Sequence, residues 1–339
     1  MRRWAVPLVA VALAAALPQP GTAQAGTLRA DAAAGAVPAS GAGGALTAQA
    51  TQTARTTQAA RTTETARTTE TRQAAWTAQG APSPVTALRR HFAEHTGLRI
   101  SDVGRVYRDG KAVVTIWRRG RVEFDASGVY ATDTTGRTEA GRGAIREFEG
   151  LIGRRLGSTR VICFPDEAYL SGPGYETWLP EGKSWLGLIG PANIKQTAAL
   201  PQIVNVFEPA TLGALLSHSS VKRKLPSGTY RQGTVTLRTL YRVSPSFRDR
   251  LAGPPKGRSA KITVGFRLWL DRSNLARRLT TTWRQPVPGT PERPTVTVAD
   301  TRYTGWGSDV TLAPPPPEDT ADAGRVGGDF SPPPALPVG

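Results

Sequence analysis

The sequence contains very little cysteine and methionine and few aromatic residues. Among 339 residues there is one Cys and one Met, and Phe, Trp and Tyr together make up 7%. A single cysteine excludes an intramolecular disulfide, so the chain is not a disulfide scaffold. Hydrophobic residues account for 39%, below the roughly 45–50% of a typical globular domain. Gly (36) and Pro (28) are abundant instead, which excludes a chain folded from end to end and a multi-span membrane protein.

Acidic residues are also scarce, with 26 Asp and Glu against 43 Lys and Arg and a formal net charge of +17. A surplus of this size attracts anionic partners. The basic residues are spread along the chain without a helix-turn-helix or zinc-finger pattern, so we do not expect nucleic acid as a partner. The simplest interpretation of the charge is a diffuse solvated surface. An anionic membrane surface or wall polymers are the counter-charges that an exported chain would meet.

The N-terminus has the pattern of a secretory signal. Arg2 and Arg3 precede an uncharged apolar run over residues 5–17, and small residues lead up to a cleavage site before Gly26. The run is shorter than the about 20 residues that span a bilayer, and no lipobox cysteine follows it. We therefore predict a signal peptide over residues 1–25 and an exported, soluble chain of the cell envelope. The alternative is an uncleaved N-terminal anchor.

Two flanking segments have compositions that cannot form a core. Residues 26–81 are rich in Ala, Thr, Gly and Gln, and a six-residue unit beginning Ala-Arg-Thr-Thr occurs three times over residues 54–71. The unit has no large apolar residue to offset the entropy of ordering, so a disordered spacer is predicted. A glycosylated stalk is the alternative. Residues 314–339 combine proline runs with acidic residues, which predicts a disordered tail.

The segment between these flanks, residues 82–313, is the predicted folded domain. Ser83 as N-cap and Pro84 in the first turn predict a helix at its start, which Gly97 ends. A second helix is predicted over Pro209–His218 because its leucines recur at i, i+3 and i+4. The other apolar segments are short and bounded by turns, which indicates strands. The predicted strands are 112–117, 121–124, 128–131, 160–164, 168–170, 177–179, 184–188, 234–241, 261–271, 276–283 and 295–304.

The strand predicted over Lys261–Asp271 has the clearest pattern. Apolar residues at every second position from Ile262 to Leu270 alternate with mixed residues, as in an antiparallel sheet packed on one face. Many strands joined by short turns, with two helices set apart, favour an α+β fold over a parallel α/β fold. Cys163 falls in another apolar strand segment, so we predict a buried, unreactive thiol rather than a nucleophile.

The residues that come nearest to a catalytic motif lie on the predicted first helix. His91, Glu94 and His95 match H-x-x-E-H, in which two histidines on one helical face hold zinc and the glutamate acts as general base. Gly97 breaks the helix soon after the motif, and neighbouring arginines disfavour a dication. We therefore expect these residues to form a solvated face, and no catalytic residue, metal or cofactor is predicted. A zinc hydrolase is the enzymatic alternative.

Several segments of the domain carry motifs in a recognisable order. The segment Ala168–Pro173 precedes Trp178–Trp185, which reads Trp-Leu-Pro-Glu-Gly-Lys-Ser-Trp. The remaining segments are Pro209–Ser217, Gly228–Leu237, Phe266–Asp271, Leu275–Leu279 and Tyr303–Asp322. In this order they resemble motifs of the LolA-like/LppX–LprG lipoprotein superfamily of bacterial envelope lipid carriers, over about residues 160–322. The superfamily's lipobox cysteine has no counterpart here, and the stretch 98–158 carries additional arginines.

This resemblance implies a strongly curved antiparallel sheet, an open half-barrel, whose concave face is capped by helices. It implies a non-enzymatic protein that holds the acyl chains of a lipid or glycolipid, since each buried CH₂ contributes about 0.8 kcal/mol. The alternative is a protein-binding or envelope-sensing module in which the half-barrel is a platform filled by its own side chains. The residues predicted to line the hollow are Leu212, Leu215, Leu216, Ile262, Val264, Phe266, Leu268 and Leu270.

Overall fold

The computed structural model describes residues 82–141, 158–173, 175–176, 179–189, 201–251, 253–287 and 290–326. The predicted signal peptide and spacer lie outside the described residues, as does most of the predicted strand 177–179. No helix among the described residues is long and apolar enough to cross a membrane.

The described residues form one sheet of twelve strands, which is antiparallel except at one edge and is not closed into a barrel. The spatial order is β12-β6-β5-β4-β3-β2-β1-β11-β10-β9-β8-β7. The predicted α+β fold with an open, curved antiparallel half-barrel is confirmed. The strands are β1 Thr96–Arg108, β2 Lys111–Asp125, β3 Gly128–Ala140, β4 Ser158–Cys163, β5 Glu167–Ser171, β6 Trp185–Ile189, β7 Ser219–Leu225, β8 Gly228–Thr236, β9 Thr263–Leu270, β10 Ala276–Val287, β11 Thr290–Asp309 and β12 Thr320–Asp322.

Short helices pack on the concave face of the sheet. Their bounds are α1 Pro84–Arg89, α2 Pro209–Ser217, α3 Leu237–Val243 and α4 Pro245–Arg248. Helices α1, α3 and α4 begin at a hydroxyl that accepts a hydrogen bond from a backbone N–H of the first turn, whereas the N-cap of α2 makes no such bond. The Ser83 hydroxyl accepts from the backbone N–H of Thr86 at the start of α1, and the Ser244 hydroxyl accepts from that of Phe247 at the start of α4. The largest apolar cluster lies between these helices and strands β8–β11, β1 and β2.

The first helix is shorter than predicted, and it is followed by a strand that was not predicted. Helix α1 ends at Arg89, and β1 begins at Thr96, in the region where the sequence pattern predicted no strand. Gly97 does not end the helix. It lies in β1, where an added Cβ would sit 2.2 Å from the carbonyl oxygen of Val122 on β2. Glycine is therefore required for the close approach of these two strands.

Two further segments differ from the predicted elements. The strand predicted over 234–241 ends at Thr236, because the hydroxyl of this residue accepts a hydrogen bond from the backbone N–H of Thr239 and begins α3. Strand β7 was not predicted. It is a mostly exposed edge strand with the charged run Lys222–Lys224, as is common where an edge must not pair with other chains.

Part of the predicted tail lies on the sheet instead of being disordered. Strand β12 adds in parallel to β6, with Thr320 opposite Trp185. The backbone N–H of Ser184 donates to the carbonyl of Asp319 at 3.0 Å, and Ala321 is buried. The prediction of a tail from residue 314 is therefore wrong for residues 317–323, because small alanines pack where the acidic and proline-rich composition predicted no contacts. Residues 327–339 lie outside the described residues.

Candidate functional site

The eight residues predicted to line the hollow lie together between the sheet and the helices. Leu268 on β9 and Leu215 on α2 are fully buried, and four others are at most 2% exposed. Leu216 and Ile262 are partly buried and pack against the same cluster. Helix α2 and strand β9 therefore face one another across one apolar cluster. In this state the residues contact one another, so a role as ligand contacts stays a prediction.

A cavity of about 160 Å³ lies at the rim of the concave face. Its walls come from the turn before β3, the segment that leads into α2, and the junction of α3 and α4. Apolar atoms dominate these walls, with polar groups from Asn205 and Glu208 beside them. The lining residues are Ser127, Gly128, Val129, Asn205, Phe207, Glu208, Pro209, Ala210, Val243 and Pro245.

The carboxylate of Glu208 holds the helices around this cavity in place. Its Oε2 accepts from the hydroxyl of Thr211 at 2.8 Å and from that of Ser244 at 2.5 Å. Its Oε1 accepts from the backbone N–H of Ser246 at 2.8 Å. Glu208 therefore ties the start of α2 to the start of α4. These hydrogen bonds use both carboxylate oxygens, which suits a structural anchor.

Aromatic rings close the concave face next to this cavity. Phe207 packs edge-on against Phe124 and Tyr303, at centroid distances of 5.7 and 5.6 Å. Phe124 stacks on Trp306 at 5.9 Å with an interplanar angle of 11°. The indole N–H of Trp306 donates to the carbonyl of Ala276, so its polar end is satisfied. This side of the cavity is thus a rigid apolar wall.

A buried polar cluster crosses the middle of the concave face. Asp102 on β1 is 1% exposed and Arg118 on β2 is 8% exposed. The Nη2 of Arg118 lies 2.5 Å from the Oδ2 of Asp102, and its Nε donates to the same oxygen at 2.6 Å. Burial raises the pKa of Asp102, and the charge of Arg118 opposes that shift. The pair was missed at the sequence level because only the register of β1 and β2 brings these residues together.

Gln202, in the segment before α2, is held by hydrogen bonds to β10 and to Arg250. The side chain of Gln202 donates to the carbonyl of Leu279 at 3.0 Å and accepts from the hydroxyl of Thr281 at 2.6 Å. The main-chain carbonyl of Gln202 accepts a hydrogen bond from the guanidinium of Arg250 at 2.7 Å. Burial lowers the pKa of Arg250 to about 10, and the charge of Glu208 opposes that shift. These contacts stabilise the loop that leads to the cavity.

The histidines of the H-x-x-E-H motif contact separate partners. The ring of His91 packs against Trp306 at a centroid distance of 5.7 Å, and burial lowers its pKa. His95 lies beyond α1, with Nδ1 3.2 Å from the Oε1 of Glu123. The part of the chain that the structure describes contains no group of three or more His, Cys, Asp or Glu side chains that could hold a metal ion. Cys163 is buried, as predicted.

On the opposite face of the sheet, Asp133 bridges two arginines. Its Oδ1 accepts from the Nε of Arg160 at 2.9 Å, and its Oδ2 accepts from Arg121 at 3.0 Å. Burial alone raises the pKa of Asp133, but these hydrogen bonds and charges outweigh it and hold the pKa below its ordinary value of 3.8. A lowered pKa means that the folded state favours the ionised carboxylate.

We expect Asp133→Asn to be less stable than the natural protein at pH 7, with a difference that shrinks on acidification. The carboxylate contributes stability that is present above its unfolded-state pKa and is lost as the pH falls through its lower folded-state pKa. Urea unfolding from pH 7 down to pH 3 measures this convergence. Asp309→Asn, at an exposed position, serves as the matched control. A constant difference at every pH would contradict the assignment.

Comparisons with known proteins return structural likenesses only. No family model and no curated protein matches the chain. The chain is similar to a DUF1329 family protein from Desulfovibrio piger, with 10% identity over 68% of this chain and 96% of that one and a TM-score of 0.25. It is similar to a LolA superfamily protein from Nitrosomonas europaea, with 11% identity over 69% of this chain and 96% of that one and a TM-score of 0.22. It is also similar to a porin-like protein from Bacteroides uniformis, with 8% identity over 62% of this chain and 96% of that one and a TM-score of 0.23.

The described architecture is an open antiparallel half-barrel with short helices on its concave face. At TM-scores of 0.22–0.25 the likenesses themselves carry no argument about a ligand. The case for function therefore depends on the half-barrel's own concave face, its cavity and its charges.

Proposed function

We propose that the protein is an exported, non-enzymatic binding protein of the cell envelope that takes up the apolar part of a lipid or other amphiphile at the rim of its concave face. The observation that carries this proposal is the apolar cavity of about 160 Å³ between the turn before β3 and helices α2–α4. A concave, mostly apolar site with a few oriented polar groups is the usual form of a small-molecule site. The signal-like N-terminus supports export.

The size of the cavity defines what it holds. An engineered apolar cavity of about 150 Å³ in another protein binds benzene, so a cavity of this volume accepts one small apolar group or a short stretch of acyl chain. Each methylene that leaves water contributes about 0.8 kcal/mol. A longer chain would reach Leu215 and Phe266 only if α2 moved away from the sheet, because these side chains fill that space.

A substitution at the mouth tests the cavity without touching the core. Ala210, on α2, lines the cavity and is exposed. We expect Ala210→Trp to weaken binding of the uncharged amphiphilic dye N-phenyl-1-naphthylamine at least ~10-fold, about 1.4 kcal/mol, because the indole fills the entrance. Fluorescence titration of the full-length protein measures this affinity.

Ser217→Trp, on the exposed end of the same helix, is the matched control and should leave the affinity within about twofold. Equal affinities for the natural protein and both variants would exclude the cavity as the binding site. Absence of dye binding by the natural protein would contradict amphiphile binding itself.

A second candidate function is favoured by the packing of the concave face. Leu268 and Leu279 have no exposed surface, so the half-barrel resembles a filled platform as much as an empty container. A protein-binding or envelope-sensing module would use this platform without a lipid. It predicts a protein purified free of extractable lipid that still captures an envelope protein, with a capture that Ala210→Trp does not change.

A further inference from the structure

A row of arginines crosses the outer face of the sheet. The strand register places Arg278 on β10 opposite Arg302 on β11, and Arg302 opposite Ser101 on β1. Ser101 pairs with Arg119 on β2. The register continues through Thr135 on β3 to Arg160 on β4. We call Arg278, Arg302, Arg119 and Arg160 the arginine row. Five strand intervals of about 4.8 Å give it a length of about 24 Å along the sheet.

The arginine row is accessible. Arg302, Arg119 and Arg160 are exposed, and the side chain of Arg278 keeps 40% of its surface in solvent. No described carboxylate forms an ion pair with Arg302 or Arg119, whereas Arg278 and Arg160 pair with aspartates. The centre of the row therefore carries uncompensated positive charge. The outer face of the sheet carries further arginines near the row: Arg99, Arg105, Arg121, Arg137, Arg267 and Arg284.

Tryptophans on this face orient several guanidinium groups. Arg278 lies over the ring of Trp269 at 5.0 Å, and Arg160 lies over that of Trp185 at 5.4 Å. Stacking on an aromatic face holds each guanidinium flat, and the Nε–Nη2 edge of each donates to an aspartate, Asp300 for Arg278 and Asp133 for Arg160. The planar fork of arginine matches the two oxygens of a phosphate group.

The direction of the arginine row determines which shape of partner can contact all of its members. It runs across the strands, and therefore around the outer side of a curved sheet. A flat bilayer would touch such a surface along only a few strands. A flexible linear chain can follow the curve and contact every arginine. We propose that the arginine row binds a flexible linear polyanion whose charges are phosphodiester groups, as in a wall polymer. This inference is independent of the proposed cavity function.

Binding of synthetic poly(glycerol phosphate) to the full-length protein tests the proposal. We expect Arg119→Glu/Arg302→Glu to weaken binding by at least ~10-fold, because each reversal replaces a phosphate contact with repulsion. Lys256→Glu/Arg258→Glu, an exposed loop pair with the same charge change, is the matched control and should weaken it by about twofold or less. Urea midpoints show that both variants remain folded.

Three outcomes would overturn the proposal. An equal loss in both double variants would mean diffuse charge attraction. Binding confined to phosphatidylglycerol vesicles would mean a membrane partner. Much tighter binding of single-stranded DNA than of the base-free polymer would mean recognition of stacked bases. Failure here leaves the dye titration of Ala210→Trp unaffected, so the two proposals fail separately.

Discussion

Arg118→Met is expected to lose about 3–5 kcal/mol of the free energy of unfolding, because it leaves the buried carboxylate of Asp102 without its charged partner. Asp102 is 1% exposed and receives two nitrogen contacts from Arg118, at 2.5 and 2.6 Å. Water cannot take the place of the guanidinium without opening the sheet. Urea unfolding at pH 7 measures the loss.

The control is Arg119→Met, the next residue on β2, which points to the exposed face and should change stability by less than about 0.5 kcal/mol. The double variant Asp102→Leu/Arg118→Met removes both charges, and we expect it to recover most of the loss, since apolar replacement of a whole buried pair is often neutral. A single variant as stable as the natural protein would contradict the buried pair.

Phe266→Ala is expected to cost about 3–5 kcal/mol of unfolding free energy, the range for removing a fully packed aromatic side chain. Phe266 is 2% exposed and lies in the cluster between β9 and the helices. Its loss would leave a void that rigid neighbours fill only in part. Chemical denaturation compares this variant with Thr263→Ala, an exposed position on the same strand that should change stability by less than about 0.5 kcal/mol.

The result also separates two states of the concave face. If Phe266 packs as core, the truncation destabilises the ligand-free protein by the full amount. If the face is an open hollow without ligand, the side chain has few partners and the loss falls below about 1 kcal/mol. A small loss would therefore contradict the packed state described above.

The sequence pattern predicted the fold where every inward position is apolar. Strand β9 is the clearest case, since its alternation from Val264 to Leu270 matches its burial pattern. Strand β1 was missed because Asp102 and Gly104 occupy inward positions and interrupt the apolar alternation. Tertiary contacts explain why each of these residues occupies an inward position. Asp102 pairs with Arg118, and an added Cβ at Gly104 would lie within 2.9 Å of the ring of Pro201.

The candidate site was predictable only in its apolar part. Leucines on α2 and alternate residues on β9 point toward each other in any α+β packing, so their meeting followed from periodicity. The cavity depends on Gly128, Phe207 and Pro245, which come from three turns far apart in sequence. The arginine row depends on the register of six strands, from β10 to β4. Composition shows the surplus of basic residues but not which arginines align.

Native mass spectrometry of the full-length protein purified from its own envelope, followed by organic extraction, tests whether the protein carries an amphiphile. We expect a bound amphiphile at a ratio near one per chain, which extraction releases, and a reduced occupancy in Ala210→Trp but not in Ser217→Trp. A protein that carries the mass of the polypeptide alone, together with no binding of N-phenyl-1-naphthylamine, would contradict amphiphile binding and favour the filled platform.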